Sequence, residues 1–271
     1  MPGFSTDVAA LDHQVVVRTA TPTAKRAVDS MFRNMRGRVR PDSLGRLTLR
    51  RVPSGWIVSG VSGVGAVHGS LAGARADLQD MVTGLFMNAR PDLLWLHAAG
   101  VAKDGRAIII TGPSGSGKST LASRLIATGF AYIADDVLPV DPRARTVHPF
   151  PVAPVVRRAA SEYLIASHAR RLGKEDVLVK PAQVASGPLS IAAIVVPRFS
   201  PGPSRMQRMP AGRAAIEVLQ QCCNFGCHRE AAVRAMGALA EAVPAWTLSF
   251  ADPVRGTEAI ASVVGARSGC R

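Results

Sequence analysis

Eight consecutive residues, Gly112 to Ser119, match the pattern G-x-x-x-x-G-K-[ST] at every fixed position. Glycines allow unusual backbone angles, so that successive N–H groups of a loop can point inward at phosphate oxygens. Lys118 would add a positive charge for the β- and γ-phosphates, and the Ser119 hydroxyl could ligate Mg²⁺. The pattern predicts a nucleotide-phosphate site. The residues expected to line it are Gly112, Pro113, Ser114, Gly115, Ser116, Gly117, Lys118, Ser119 and Thr120.

Two adjacent carboxylates, Asp135 and Asp136, end the next apolar segment after this loop. A carboxylate in this place commonly holds Mg²⁺, directly or through water. Neighbours on a strand point to opposite faces, but beyond the strand end a loop can turn both inward. One carboxylate could then serve the metal while the other accepts a proton from an attacking hydroxyl. The alternative is that one caps a turn and the other is solvated.

A histidine, His97, lies in the apolar segment that precedes the phosphate-loop strand. We expect its strand to be the neighbour of the phosphate-loop strand, which would bring the imidazole to the site. A lone histidine on an apolar strand is more often a core residue, so both interpretations stay open from spacing alone.

The elements that must position these residues follow one another directly. Ala107 to Thr111 is a nearly continuous apolar run, which is typical of a strand buried on both faces. Thr120 to Thr128 has helical propensity and is followed by Gly129, a good residue for ending a helix. Phe130 to Ala134 is a further apolar strand. The order strand, loop, helix, strand predicts a βαβ-like unit.

The flanking segments carry weaker patterns. Thr23 to Arg40 is basic with helical spacing, and two alternating runs, Leu44 to Val52 and Gly55 to Val61, predict a hairpin. The other predicted helices are Ala74 to Asn88, Ser161 to Leu172, Arg213 to Cys223, Glu230 to Val243 and Thr257 to Val264. The other predicted strands are Asp92 to Val101, Leu189 to Arg198 and Trp246 to Phe250, and Arg143 to Pro154 is predicted to be a loop.

Composition limits the classes of protein that need to be considered. The 271 residues are 47% hydrophobic, which is ample for a packed core, and they fit one large domain or one domain with an extension. A net charge of +14 favours anionic partners, but the basic residues are scattered, so a dedicated nucleic-acid interface is not expected. Because no apolar run is long enough to span a bilayer, no membrane partner is expected either.

Four cysteines, at positions 222, 223, 227 and 270, occur without a secretory signal, which predicts a reduced, cytoplasmic protein. If their segment is helical, Cys223 and Cys227 share a face, and His228 lies beside them. Zinc sites usually combine Cys-x₂-Cys pairs, and none is present here. We therefore favour buried structural thiols over a metal site.

Three motifs together resemble one family. The segments Leu96 to Val101, Gly112 to Thr120 and Ala134 to Val137 resemble the catalytic domain of HPr serine kinase/phosphorylase, and especially the small HPr-kinase-like proteins of peptide-modification clusters, including lasso-peptide kinases. Ile194 to Phe199 also looks like that group. The resemblance implies an α/β fold with a mixed sheet, related to the nucleotide-binding half of phosphoenolpyruvate carboxykinase. It divides the chain into an extension, residues 1–40, and a catalytic domain, residues 41–265.

The resemblance also implies an activity and roles for residues. It implies an ATP- and Mg²⁺-dependent kinase that phosphorylates a serine of a peptide or small protein, and the acceptor expected here is a lasso-type precursor peptide. Asp135 would be the general base, and Asp136 would assist with Mg²⁺ or with the base. His97 would lie beside them, and Lys118 and Ser119 would keep the roles given above. The Arg-Gly-rich segment that follows the acidic pair in HPr kinases is not evident, so neither phosphorolysis nor the family hexamer is expected.

Three other functions use the same loop. A small-molecule or nucleoside-type kinase would phosphorylate a metabolite rather than a peptide. A nucleotide-gated binding module would bind ATP without turnover and would not need Asp135. A nucleic-acid ATPase would suit the basic charge, but the sequence shows no helicase-type motifs.

Overall fold

The structure is a computed structural model that describes residues 3–36, 42–61, 63–157, 174–176 and 179–265. The chain divides into two compact units, Met1–Pro91 and Asp92–Arg271. The boundary predicted between residues 40 and 41 lies inside the first of these units.

The first unit is a five-stranded sheet with two helices. In sheet order its strands are β1 (Phe4–Ala10), β2 (His13–Thr19), β3 (Asp42–Val52), β4 (Gly55–Gly60) and β5 (Gly63–Val64), and its helices are α1 (Pro22–Met31) and α2 (Leu71–Ala89). β3 and β4 form the predicted antiparallel hairpin, and the predicted second helix is confirmed. Because β2 pairs in parallel with β3, the residues predicted as an extension belong to the same sheet as the hairpin.

The second unit holds the phosphate-loop motif. In chain order its elements are β6 (Leu94–Leu96), β7 (Ala98–Lys103), β8 (Arg106–Thr111), α3 (Lys118–Ala127), β9 (Ala131–Ala134), β10 (Leu138–Asp141), β11 (Thr146–Val147), β12 (Val155–Arg157), β13 (Lys174–Asp176), a 3₁₀ turn (Pro181–Gln183), β14 (Leu189–Phe199), β15 (Arg205–Met209), α4 (Ala211–Leu219), α5 (Phe225–His228), α6 (Glu230–Ala242), β16 (Ala245–Phe250) and α7 (Pro253–Gly265). In the part of the chain that the structure describes, no helix combines the length and apolarity needed to cross a membrane.

One mixed sheet organises this unit. Its strands run in the order β9, β7, β8, β14, β16, β15, and β14 also meets β11, which leads through β10 to β6. The pairs β8–β14 and β14–β16 are parallel, whereas β7 is antiparallel to both β8 and β9. The predicted α/β class with a mixed sheet is confirmed.

The phosphate-loop segment differs from a simple βαβ unit in one respect. β8 and β9 are parallel, but β7 is inserted between them, so the sheet order is β8, β7, β9. The predicted strand Asp92 to Val101 is two strands, β6 and β7, which are interrupted at His97. Of these two strands it is β7 that pairs with the phosphate-loop strand β8, as expected for the segment that contains His97.

Other predicted elements need smaller corrections. The predicted loop Arg143 to Pro154 contains the short strand β11, and the predicted helix Ser161 to Leu172 lies outside the described residues. The strands β1, β2, β5, β10, β12, β13 and β15 have no counterpart among the predicted strands.

The core of the second unit forms where α3 packs on the sheet. Ile108 and Ile110 of β8 point into the same apolar cluster as Leu121 and Leu125 of α3, and all four side chains are fully buried. α3 ends at Ala127, and Gly129 follows in a left-handed conformation at φ 96°, as expected for a residue that ends a helix. Because both the strand and the helix are fixed by this core, the loop that joins them has a defined position.

Candidate active site

The loop between β8 and α3 contains three glycines in left-handed conformations. Their φ angles are 141° at Gly112, 83° at Gly115 and 98° at Gly117, a region that other residues rarely adopt. Gly117 has a second constraint, because a Cβ there would lie 2.7 Å from Cζ of Phe250. The backbone angles at these three positions therefore favour glycine, as the motif predicts. At Gly117 the close packing against Phe250 is a second reason for glycine.

The lysine of the loop is folded back over it. Lys118 is 7% exposed, and its Nζ donates hydrogen bonds to the carbonyl oxygens of Gly112 at 2.8 Å and Pro113 at 3.1 Å. Burial lowers the pKa of this amine, while Asp135 and Asp136 act to raise it. The two carboxylates thus lie close enough to Lys118 for a direct electrostatic interaction.

Asp135 is a buried carboxylate beside the first turn of α3. Its residue is 6% exposed, and it accepts a hydrogen bond from the Ser119 hydroxyl. Burial raises its pKa to about 6; Asp136 also raises it, whereas the Ser119 hydrogen bond and Lys118 lower it. Its Oδ1 is buried and accepts no hydrogen bond from the described residues. A carboxylate in this state can accept a proton near neutral pH.

Asp136 turns the chain at the end of β9. Its φ is 77°, which is uncommon for a residue other than glycine and often marks a functional constraint. The left-handed turn changes the alternation that would send neighbouring side chains to opposite faces of the strand. As a result, Asp135 and Asp136 both interact with Lys118.

His97 joins this group from the neighbouring strand. Ala98 pairs with Thr111, so His97 lies directly before the residue opposite the end of β8. Its Nδ1 lies 3.4 Å from Oδ1 of Asp136. Burial and the positive charge of Lys118 lower the pKa of His97, and Asp136 opposes them. The net lowering of this pKa favours the uncharged form of the imidazole.

A segment after α4, residues 221–224, holds the backbone on the amino side of His97. The His97 N–H donates to the carbonyl oxygen of Gln221 at 2.7 Å. The buried side chain of Asn224 accepts from the Trp95 N–H at 3.0 Å and donates to the carbonyl oxygen of Leu93 at 2.9 Å. Sequence analysis did not identify Asn224, because its partners are backbone groups more than a hundred residues away.

The cysteine segment differs from its prediction. Cys223 and Cys227 are exposed, so the expectation of buried structural thiols is wrong for these two residues, and α4 ends at Leu219, before they could share its face. Cys222 is half-buried, and burial raises its pKa to about 11. Within the described residues, no group of three His, Cys, Asp or Glu side chains could hold a metal ion.

The chemistry of the site suits a magnesium–phosphate complex. Mg²⁺ prefers oxygen ligands and is commonly bound by one or two carboxylates together with substrate phosphates, so a complete protein cage is not required. Ser119 and Asp136 supply such oxygens, and the Asp136 side chain is 47% exposed, which makes it accessible to an ion. The residues present therefore fit the metal.

The predicted site residues fall into two groups in the structure. Lys118, Ser119, Asp135, Asp136 and His97 are brought together at one edge of the sheet. The remaining loop residues surround Lys118. Of these, Ser116 is buried and its Oγ has no partner among the described residues, Pro113, Ser114 and Gly115 are exposed, and Thr120 is half-buried in the first turn of α3.

Comparison with known proteins finds structural similarity without a sequence-family match. No protein-family model matches this sequence, and no curated protein matches it. The chain is similar to the solved structure of the Hpr(Ser) kinase/phosphatase from Coxiella burnetii, with a TM-score of 0.36 and 14% sequence identity, over 65% of this chain and 99% of that one.

Proposed function

We propose that this protein is an ATP-dependent kinase that transfers the γ-phosphoryl group of ATP to a serine hydroxyl. The observation that supports this most strongly is the position of Asp135. A buried carboxylate with a raised pKa and an unpartnered oxygen lies beside Ser119 and Lys118 of the phosphate loop. An acceptor hydroxyl needs a proton acceptor at this place, next to the terminal phosphate.

The residues have separable tasks in this proposal. The loop amides and Lys118 bind the phosphates and stabilise the negative charge that develops during transfer. Ser119 and Asp136 would hold Mg²⁺, which neutralises phosphate charge when it is bound. His97, whose Nδ1 lies 3.4 Å from Oδ1 of Asp136, would keep that carboxylate oriented.

Asp135 positions the acceptor and takes its proton. The serine oxygen forms a bond to the γ-phosphorus, and the bond from that phosphorus to the bridging oxygen breaks, with the electron pair leaving on ADP. The proton of the serine hydroxyl passes to Asp135. Because the transition state is loose, alignment and charge stabilisation are expected to contribute more than proton removal.

The acceptor that we propose is a serine of a peptide or small protein, such as a ribosomally made precursor of the lasso type. The support is the resemblance of the three motifs at residues 96–101, 112–120 and 134–137. The compartment that we propose is the cytoplasm, where ATP is available and the exposed thiols of Cys223 and Cys227 would stay reduced.

The direct test is transfer of labelled phosphate from ATP to a panel of acceptors. The intact chain is incubated with labelled Mg·ATP and either serine-containing precursor peptides or a metabolite mixture, and the products are identified by mass spectrometry. The proposal expects one phosphate on a peptide serine and no label when Asp135→Asn is used. Asp104→Asn is a matched control, because Asp104 lies in the exposed turn between β7 and β8.

Each alternative gives its own result in this assay. Label in metabolites alone would indicate a small-molecule kinase. Nucleotide binding with no labelled product from any acceptor, unaffected by Asp135→Asn, would indicate a binding module. Either result would contradict the peptide-kinase proposal.

A further inference from the structure

An exposed aromatic ring lies next to the phosphate loop without a role in the mechanism above. Phe199 is the last residue of β14, and 68% of it is exposed. An exposed phenylalanine ring offers apolar surface that a binding partner could cover. Its place in the fold indicates which partner this is.

A chain of contacts connects this ring to the loop. Phe199 packs against Phe250 in an edge-to-face arrangement, with ring centroids 5.9 Å apart and an interplanar angle of 87°. Phe250 is buried, and its Cζ is the atom 2.7 Å from the position of a Cβ on Gly117. The buried ring therefore separates the exposed ring from the carboxyl end of the loop and holds it in a fixed position.

The strand order places Phe199 on the opposite side of the loop from the acidic pair. β14 lies beside β8 on one side, with Val195 opposite Ile110, whereas β7 and β9 lie on the other side. Asp135 and Asp136 follow β9, and His97 precedes β7. Phe199 ends β14 at the same edge of the sheet, because β8 and β14 are parallel.

A nucleoside triphosphate is an extended molecule with its γ-phosphate at one end and its base at the other. If the γ-phosphate faces Asp135, a nucleotide that extends along this edge of the sheet, away from the acidic pair, carries its base toward β14. We propose that the exposed face of Phe199 is the platform on which the nucleotide base stacks. This inference rests on the proposed function and adds the base-binding subsite to it.

Stacking explains why an exposed and rigid ring is useful here. Nucleobases stack on aromatic side chains through their π-faces, which requires an accessible face and does not require hydrogen bonds to a particular base. The contact with Phe250 is edge-to-face, and 68% of Phe199 stays exposed. Purine nucleotides are therefore expected to bind more tightly than pyrimidine nucleotides, since they offer a larger face.

The test compares ligands with and without a base. Affinities of the intact chain for Mg·ADP and for inorganic tripolyphosphate are measured by calorimetry. Phe199→Ala is expected to weaken ADP binding by about 5- to 150-fold, the contribution of one base–aromatic stack, and to leave tripolyphosphate binding unchanged. Phe199→Trp should restore ADP affinity, and ADP should quench fluorescence in this variant beyond any quenching in the parent chain.

A matched control and three contrary outcomes sharpen the test. Phe225→Ala removes another exposed ring, at the start of α5, and should leave ADP affinity unchanged. Equal ADP affinities of Phe199→Ala and the parent chain would overturn the base platform and leave the phosphate site standing. Loss of tripolyphosphate affinity in Phe199→Ala would overturn it as well, because the ring would then support the loop. A parent chain that binds neither ligand would overturn both proposals.

Discussion

Two aspartates in the second unit share an unusual backbone conformation but lie in different surroundings. Asp104 has a φ of 50° in the exposed turn between β7 and β8, and Asp136 has a φ of 77° after β9. At Asp104 the conformation belongs to a two-residue Asp-Gly hairpin turn, where it is common. At Asp136 it brings two adjacent carboxylates near Lys118.

The comparison shows that a backbone angle alone does not identify a functional site. Asp104 is exposed and serves chain reversal, whereas Asp136 follows a buried carboxylate and contacts His97. At Asp136 the turn places two negative charges near the phosphate loop. A turn that only reverses the chain does not need such charges. Paired variants at the two places can therefore separate the chemistry from the fold.

The largest effect is expected for the general base. Asp135→Asn should lower kcat/KM by about 10²–10⁴-fold, because the amide cannot accept the serine proton. The measurement is steady-state phosphotransfer to the peptide acceptor. Asp104→Asn, at the opposite end of β8, should stay within about twofold of the parent chain, since an exposed turn residue takes no part in transfer. An equal loss of kcat/KM in both variants would contradict a catalytic role that belongs to Asp135 and not to Asp104.

Glycines offer a second matched pair. Gly117→Ala combines a left-handed backbone angle with a clash against Phe250, so the loop must shift. We expect the free energy of unfolding to fall by about 1–2 kcal/mol because of the backbone angle and by about 1–3 kcal/mol because of overpacking. Binding of Mg·ATP should weaken as well, because the loop moves. Gly105→Ala also has positive φ, but its Cβ would meet nothing within 4 Å, so only the backbone part is expected. Calorimetric titration and denaturant unfolding measure the two quantities.

Stability should depend on pH through Asp135. Its pKa is raised from 3.8 to about 6 in the folded chain, so its contribution to stability is fully present below about pH 3.8 and is lost as the pH rises through about 6. Asp135→Asn cannot ionise and should be more stable than the parent chain at pH 8, by about 2–3 kcal/mol, with little difference near pH 4. Urea unfolding without nucleotide at both pH values measures this, and a pH-independent difference would contradict the buried charge.

The smallest effect is expected at His97. His97→Gln keeps a polar side chain of similar reach and should lower kcat/KM by about tenfold, as expected for loss of a group that orients a metal ligand. Mg²⁺ dependence is the informative measurement, because the concentration of Mg²⁺ needed for half-maximal rate should rise. A loss of rate without a change in Mg²⁺ dependence would place His97 elsewhere in the mechanism.

The parts of the site that local sequence determines were predictable. The loop Gly112 to Ser119 carries its own signal, since its glycines satisfy backbone demands within a few residues. The apolar run of β8 and the helical pattern of α3 are likewise local. The pairing of β7 with β8 was also expected, from the apolar run that contains His97.

The parts that depend on distant contacts were not predictable. Leu11 and Asp12 form the turn between β1 and β2, and both have positive φ. A Leu-Asp pair is not the sequence signature of such a turn, so this hairpin was not predicted. Asn224 is fixed by backbone groups of Trp95 in β6 and of Leu93 just before it. Phe199 gains significance only because β14 lies beside β8. Tertiary neighbours, not local preference, give these residues their roles.

The phosphate loop and the acidic pair are proposed to form one site for a magnesium nucleotide. Calorimetric titration of ADP into the intact chain, with Mg²⁺ and with excess chelator, measures this. We expect saturable binding that weakens when Mg²⁺ is removed, and a much smaller dependence on Mg²⁺ in Asp136→Asn. No heat of binding with Mg·ADP, or equal Mg²⁺ dependence in the parent chain and Asp136→Asn, would contradict it.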